Sequence, residues 1–339
     1  MDRERVGVED PTVLLVNPAS RHGRTAFEQY RARLARQLNL VEAAMPPGQE
    51  ALTEAILEGL ARGVTRFVVG GGDGTLGLAA ALLKQSAGVL GVLPLGTGNT
   101  FALGLNMPTQ ADAIVDVLAK GRVMRYDVAE AQAQGECRVF LNSLTVGVSE
   151  RLVELLTPDA KRRWGWLAWP VNVRKAMRAT APFGVRLQWS GGREEYVTRQ
   201  LAVVNGRTLA GPVMPTPHSS GRDALLEVFR LGGASEWSLI RVTVRLLQGK
   251  LLKARDARYM MVSEVTIDTV PRVPVDIDGE VWRAPPVTCR VLPGVLAVIT
   301  PDAPGSTAHR WPMATRALGV KPRSLVPGQH PAGYGPGRW

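Results

Sequence analysis

Apolar residues fall in short runs along the first 120 positions, and the runs alternate between two periods. PTVLLVN (11–17) is an almost unbroken apolar stretch that stops at Asn17-Pro18, the pattern of a buried strand. In TAFEQYRARLARQLNL (25–40), Phe27, Tyr30, Leu34 and Leu38 recur every three or four positions, which predicts a helix with one buried face. ALTEAILEGLARG (51–63) predicts a second helix closed by glycine, and TRFVVGG (65–71) a second buried strand. The alternation continues with a helix in TLGLAAALLKQS, a strand in GVLGVLPLG and a helix in PTQADAIVDVLAKGR. Strands alternating with helices predict a Rossmann-like α/β domain, a parallel sheet covered on both faces, over residues 1–125.

After Arg122 the pattern changes to short β-rich runs with turn residues between them: RVFLNSLTVGV, PFGVRLQWS, EEYVTRQLAVVNG, ALLEVFRLG, YMMVSEVTID, VTCRVLP and GVLAVIT. Only residues 150–180 and 235–255 have helical spacing. These runs predict a second domain, an antiparallel β-sandwich over residues 126–300, so the fold class is α/β plus β. Residues 301–339 form a basic tail rich in proline and glycine, which either returns to the first domain or stays disordered.

Composition adds constraints. The chain is 45% hydrophobic and 21% charged, as in soluble globular proteins, and no run is long enough to span a membrane. MDRERVGVED lacks the apolar region of a signal peptide, so a cytoplasmic location is expected. The two cysteines, Cys137 and Cys289, sit in strand-like stretches and read as buried, reduced thiols. A net charge of +11 favours anionic partners: nucleic acid, nucleotide phosphates or an anionic membrane. No RNA-binding aromatic motif or helix-turn-helix signature accompanies it, so nucleic acid is not an expected partner. KRRWGWLAWPVNVRKAMR (161–178) combines six basic residues, no acids and three tryptophans. That mixture suits the headgroup layer of an anionic bilayer and predicts peripheral membrane association; the alternative is that the tryptophans pack on the second domain.

The candidate chemistry lies in FVVGGGDGTLG (67–77). Gly72, Gly74 and Gly77 spell G-x-G-x-x-G, but no Asp or Glu occurs between Gly74 and Ala111 to hold a ribose, so the dinucleotide reading fails. Instead the glycines let backbone approach phosphates while Asp73 offers a carboxylate at their edge, a pairing that makes sense with Mg²⁺ between them. Asp73 could also be a simple turn former. A second glycine turn, LPLGTGNTFALGL (93–105), follows the next strand, so both turns are expected on one edge of the sheet. His22 and His218 have no partners at metal-ligand spacing.

GGGDGT (70–75) followed by LPLGTGNTFALGLNMP (93–108) resembles the catalytic domain of the diacylglycerol kinase family, which includes bacterial soluble lipid kinases and sphingosine and ceramide kinases. NPASRHGR (17–24), RYDVAEAQ (125–132), FLNSLTVGV (140–148), KRRWGWLAW (161–169), VVNGRTLAGP with ALLEV (203–228) and VDIDGE (275–280) continue the likeness in order. The resemblance implies a lipid kinase using ATP and Mg²⁺, with its site between the domains and a lipid alcohol as acceptor. Asn17, Gly72, Gly74, Thr75, Gly96, Thr97 and Asn99 would line the nucleotide side, and Arg24 would meet a phosphate. Asp73 would hold Mg²⁺ with help from Asp127, and Asp223 would hold a structural Mg²⁺. Glu280 would be the general base for the acceptor hydroxyl.

Several alternatives remain at this stage. Asp278-Gly279 could be only a hairpin turn, and Asp127 a solvated surface acid. The chain could instead be a sphingoid-base or ceramide kinase, an NAD kinase, or a non-catalytic relative that binds lipid or nucleotide. A homodimer is compatible with the sequence but not dictated by it. Three departures from the family pattern matter: Thr100 and Arg21 stand where aspartate and glycine are usual, and the D-G-x-L-D segment keeps Asp223 but is substituted at Arg222 and Ala224.

Overall fold

The computed structural model describes residues 5–147 and 181–302. The predicted tryptophan-rich segment 161–178 and the tail beyond residue 302 lie outside them. The first domain is built on four parallel strands in the order β2 (Leu40–Ala44), β1 (Thr12–Val16), β3 (Arg66–Gly71) and β4 (Val89–Pro94). Helices α1 (Gly23–Leu34), α2 (Gln49–Ala61), α3 (Asp73–Leu83), the short α4 (Thr100–Gly104) and α5 (Ala111–Lys120) connect or flank them. Every residue of β1 and β3 is buried, which is why their sequences read as unbroken apolar runs. Phe27, Tyr30, Leu34 and Leu38 are all buried in this domain's core, although α1 ends at Leu34 and residues 40–44 form β2. That edge strand, LVEAA, has no fully buried residue, so it carries no strand-like apolar signal.

The second body is a sandwich of two antiparallel layers. One layer runs β12 (Ala257–Val262), β11 (Leu226–Leu231), β10 (Gln200–Val204), β7 (Ser143–Gly147), β14 (Val275–Ile277) and β15 (Glu280–Val281). The other contains β5 (Arg122–Ala133), β6 (Glu136–Phe140), β8 (Phe183–Trp189), β9 (Gly192–Thr198), β13 (Glu264–Val270) and β16 (Val287–Thr300). Their facing side chains, among them Phe140, Val146, Phe183, Val203, Ile267 and Ile277, form one apolar core. Helix α6 (Glu236–Leu247) covers the outer face of the first layer through Leu239, Val242 and Leu246. Cys289 is buried, as its strand pattern predicts; Cys137 is exposed instead, and both thiols are free.

The two bodies share β5 and β16. Over residues 287–292 the 14-residue β16 pairs with β5 and β13 inside the sandwich; over residues 296–300 it pairs with β5 and runs parallel to β4. A register shift separates the two stretches, between Leu292 and Leu296. The carboxylate of Asp127 sits in this bulge, accepting the amides of Gly294 and Ala224, each at 2.8 Å. Asp127 is only 4% exposed, so it is not a solvated surface acid. Its two charge-assisted bonds hold the bend that turns one sheet into the other.

Ala224 occupies a left-handed conformation, with φ of 62°, at the position where the family pattern has glycine. The backbone geometry therefore persists although the residue suited to it does not, and a Cβ there is strained. Ala224→Gly is expected to raise the unfolding free energy by about 1 kcal/mol in urea titrations, without changing the fold.

Candidate active site

The C-terminal ends of β1, β3 and β4 lie on one edge because the strands are parallel, and each opens into a polar loop. The amide nitrogen of Asn17 donates its side-chain proton to Thr75 Oγ1 at 2.9 Å, joining the first loop to α3. With that oxygen accepting, the Thr75 hydroxyl proton is left to donate elsewhere. Gly23 is required locally, since a Cβ would fall 2.2 Å from the Asn17 carbonyl oxygen. Arg24 and Arg21 are exposed on the same stretch.

The two glycine turns pack directly on each other. A Cβ at Gly96 would lie 2.4 Å from the Gly72 Cα, so the second turn admits no side chain at the contact, whereas a Cβ on Gly72 would meet the Gly96 Cα at an ordinary 3.5 Å. Asn99, itself left-handed at φ 48°, shapes the second turn: its Oδ1 accepts the Gly96 amide at 2.8 Å and its Nδ2 donates to the Gly96 carbonyl at 3.0 Å. Thr97 and Gly98 are exposed at the tip. Gly72 caps α3, whose first-turn amides, including that of Gly74, have no acceptor within the helix, a terminus able to receive an anion.

Asp73 stands at the centre. Its Oδ2 accepts the amide of Thr100 at 3.0 Å, and its Oδ1 accepts the amide of Phe101 at 2.9 Å and Asn142 Nδ2 at 3.2 Å. One carboxylate thus joins the first turn, the start of α4, and Asn142 between β6 and β7. The sandwich contributes a second carboxylate: Asp278 accepts the backbone amides of Leu141, Asn142 and Ser143 at 2.9–3.1 Å. Burial pushes the Asp278 carboxyl up to about 7; the negative charge of Asp73 adds to this and the three amides oppose it.

Asp278 and Gly279 both have positive φ in the β14–β15 turn, so the hairpin reading of Asp-Gly is realised. That turn delivers Glu280 to the first glycine loop. Glu280 Oε1 lies 2.6 Å from where a Cβ on Gly74 would be, and its Oε2 is ion-paired with Arg138 of β6. Glu280 is half-exposed.

The remaining carboxylates are elsewhere. Asp223 lies near Asp127 rather than at Asp73; burial first, and the neighbouring Asp127 charge second, raise its pKa. Glu227 is buried among hydroxyls, accepting from Ser219 at 2.6 Å and Tyr259 at 3.2 Å. Among the described residues no three His, Cys, Asp or Glu side chains are grouped closely enough to hold a metal alone. Thr100, where the family pattern has aspartate, is 7% exposed; its Oγ1 accepts the Gly211 amide at 3.0 Å and its carbonyl accepts from Thr208 at 2.9 Å. Beside α4, a small cavity of about 10 Å³, room for about one water, is lined by Phe101, Tyr126, Asp127, Asn142, Arg207 and Thr208, among others.

Residues 11–131 match the diacylglycerol kinase catalytic domain, and residues 142–300 match the YegS C-terminal NAD kinase beta sandwich-like domain. A relative from Pseudomonas fluorescens Pf-5 named "Probable lipid kinase YegS-like" is 30% identical over 73% of this chain and 81% of its own. The chain belongs to the diacylglycerol kinase catalytic-domain family, and it is a kinase. A Chromohalobacter salexigens relative of the same name is 24% identical over 73% of this chain and 80% of its own. A Bacillus anthracis Sterne crystal structure titled as a diacylglycerol kinase aligns with a TM-score of 0.65 at 20% identity, covering 87% of this chain and 98% of that one; at that identity it supports the fold.

Within this lipid kinase family member, sequence reasoning missed Asn142, Arg138 and the carboxylate of Asp278. Asn142 and Asp278 each had a signal, a polar residue interrupting an apolar strand run in FLNSLTV and VDID. Arg138 had none.

Two predictions follow from the contacts. Gly96→Ala forces backbone against backbone and should cost more than about 2 kcal/mol in unfolding, whereas Gly74→Ala meets only the movable end of Glu280 and should cost under about 1 kcal/mol. Comparison of their urea midpoints checks this. Asp278 holds its proton to about 7 in the folded state and to about 3.8 unfolded. Its contribution is therefore complete below pH ~4 and is lost as pH rises through ~7, because the unfolded chain releases the proton first. Asp278→Asn lowers stability overall but should flatten the fall in unfolding free energy between pH 5 and 8 by about 2–3 kcal/mol.

Proposed function

We propose that this kinase transfers the γ-phosphate of ATP to the hydroxyl of a diacylglycerol-like lipid, with Mg²⁺. The observation that supports this reading best is the meeting of Glu280, from the sandwich, with the Asp73-Gly74 turn of the α/β domain. It brings a carboxylate able to take a proton beside a backbone surface able to hold phosphate. The amides of Gly72 and Gly74, the Thr75 hydroxyl and the exposed Thr97 form the proposed phosphate cradle, with Arg24 as an outer cation and Gly96, its amide bound to Asn99, giving only close approach. Asn17 and Asn99 serve it by fixing the loops, since their side chains are bonded within them.

The donor set fits Mg²⁺ brought in on phosphate. Asp73 spends one lone pair of Oδ2 on a backbone amide and keeps another, and Mg²⁺ is ordinarily held by one or two carboxylates plus phosphate oxygens and water. When bound, the ion would neutralise charge on the transferring phosphoryl group. Asp73, fixed by three donors, needs no reorganisation to accept it. Glu280 would take the acceptor proton on Oε1, the oxygen that Arg138 leaves open, while Arg138 holds the carboxylate in place. We assign Asp127 to the bulge that shapes the cleft wall, with Asp223 beside it. An anionic membrane surface is the proposed site of action.

The test is transfer of labelled γ-phosphate from ATP to a panel of lipid alcohols in mixed micelles, with Mg²⁺. The native protein should phosphorylate a diacylglycerol. Glu280→Gln should lower kcat by about 10²–10⁴-fold with little change in stability. Asp73→Asn should abolish transfer and also destabilise, by about 1–3 kcal/mol, because its amide faces a backbone donor. Labelled sphingoid base or NADP in place of lipid phosphate would reassign the acceptor, and undiminished transfer by Glu280→Gln would remove that residue from the mechanism.

A further inference from the structure

Helix α6 carries apolar side chains on its outer face as well as its inner one. Leu239, Val242 and Leu246 are buried against the sandwich, while Trp237 and Val244, one above the other on the opposite face, are 66% and 40% exposed. Leu252, in the helical turn Leu251–Lys253 packed after α6, is 53% exposed, next to its buried neighbour Leu251. A single exposed apolar residue needs no explanation, but three on one packed helix–turn unit do.

The charges around them have one sign. Residues 236–258 contain six basic side chains, Arg241, Arg245, Lys250, Lys253, Arg255 and Arg258, against Glu236 and Asp256. All six cations are exposed. Asp256 is bonded to Arg241, at 2.6 Å and 3.0 Å, a contact that clasps the helix to the start of β12. A tryptophan and two aliphatic side chains set among cations match the interface of an anionic bilayer, where the ring sits among headgroups and each nearby cation adds attraction.

We propose that the outer face of α6 and the turn after it form a docking surface for anionic membranes, with Trp237, Val244 and Leu252 entering the headgroup layer. The surface is connected to the catalytic cleft by one loop: Leu209 and Val213 pack in the cluster beneath α6, while Thr208 and Gly211 bond Thr100 at the head of α4. Docking there holds the cleft wall at the interface where a lipid acceptor resides. That consequence rests on the lipid-kinase reading; the docking itself does not.

The test is co-sedimentation of the full chain with vesicles of phosphatidylcholine alone or with phosphatidylglycerol, without nucleotide, alongside Trp237→Ser/Leu252→Ser and Lys250→Glu/Lys253→Glu. The native chain should partition to the anionic vesicles. Each double variant should lose about tenfold or more in partitioning, the charge variant most steeply at low salt, with unchanged melting temperature. Phosphorylation of a short-chain diacylglycerol below its micelle concentration should be unaffected by either pair. Unchanged partitioning of both variants overturns the proposal and moves membrane binding to another surface. Failure of the native chain to bind anionic vesicles also overturns it, while transfer in micelles leaves the kinase reading intact. Dissociation of a dimer by Trp237→Ser/Leu252→Ser, with vesicle binding unaltered, would assign the face to a second copy of the chain instead.

Discussion

A single carboxylate fixes the relative position of everything at the catalytic edge. Asp73 accepts the amides of Thr100 and Phe101 and the side chain of Asn142, so the first glycine turn, the second turn and the sandwich converge on it. Charge-assisted bonds of this kind are about twice as strong as neutral ones, and their value rises where water is excluded. The close approach of Gly96 to Gly72 is held by this locked α4 together with the Leu95 amide, which donates to the Gly71 carbonyl at 3.1 Å. Asp278 repeats the device from the other side, binding three successive amides of the β6–β7 turn. Neighbouring acids usually repel. Here each is tied to backbone donors that oppose the repulsion, and Asp73 alone, through Asn142, reaches across between the two bodies.

The join between those bodies is continuous backbone rather than a linker. Strands β5 and β16 run through both, and the bulge at Gly294 redirects them from the sandwich into the parallel sheet. Asp127 stabilises that bend from within, using both oxygens on backbone. A hinge between the domains would have to break this two-strand ladder, so closure over a substrate must come from loops, such as residues 207–213, or from side chains such as Glu280.

Much of this was legible in the residues. Buried strands β1, β3 and β4 were visible because parallel strands covered on both faces have no polar side, and the two glycine turns because their spacing from those strands is fixed. The edge strand β2 went unassigned between two predicted helices because half-exposed positions impose no period. Cys137 sits in a strand-like sequence but faces solvent, since the start of β6 beside the β5–β6 turn is exposed on both faces, at Glu136 and Cys137 alike. The positions of Asp73, Glu280 and the glycines could be named from order and spacing. What could not be read was that Asn142 and Arg138 would meet them, for those contacts depend on how two sheets pack, over separations of 69 and 142 residues.

The replacement of aspartate by Thr100 shows how the edge tolerates change. Its hydroxyl accepts the Gly211 amide, so the residue serves as a neutral link between α4 and the loop of the sandwich. A carboxylate there would stand immediately beside the Asp73 oxygen that binds the Thr100 amide, adding a second negative charge to the nucleotide side. With threonine, Asp73 is the sole acid of the two glycine turns. Under the proposed mechanism the metal then depends more on phosphate oxygens and water, and on one carboxylate held rigid by three donors. Under that mechanism the rigid hold on this single carboxylate makes Asp73, rather than any cluster of acids, the position on which metal-dependent transfer would turn.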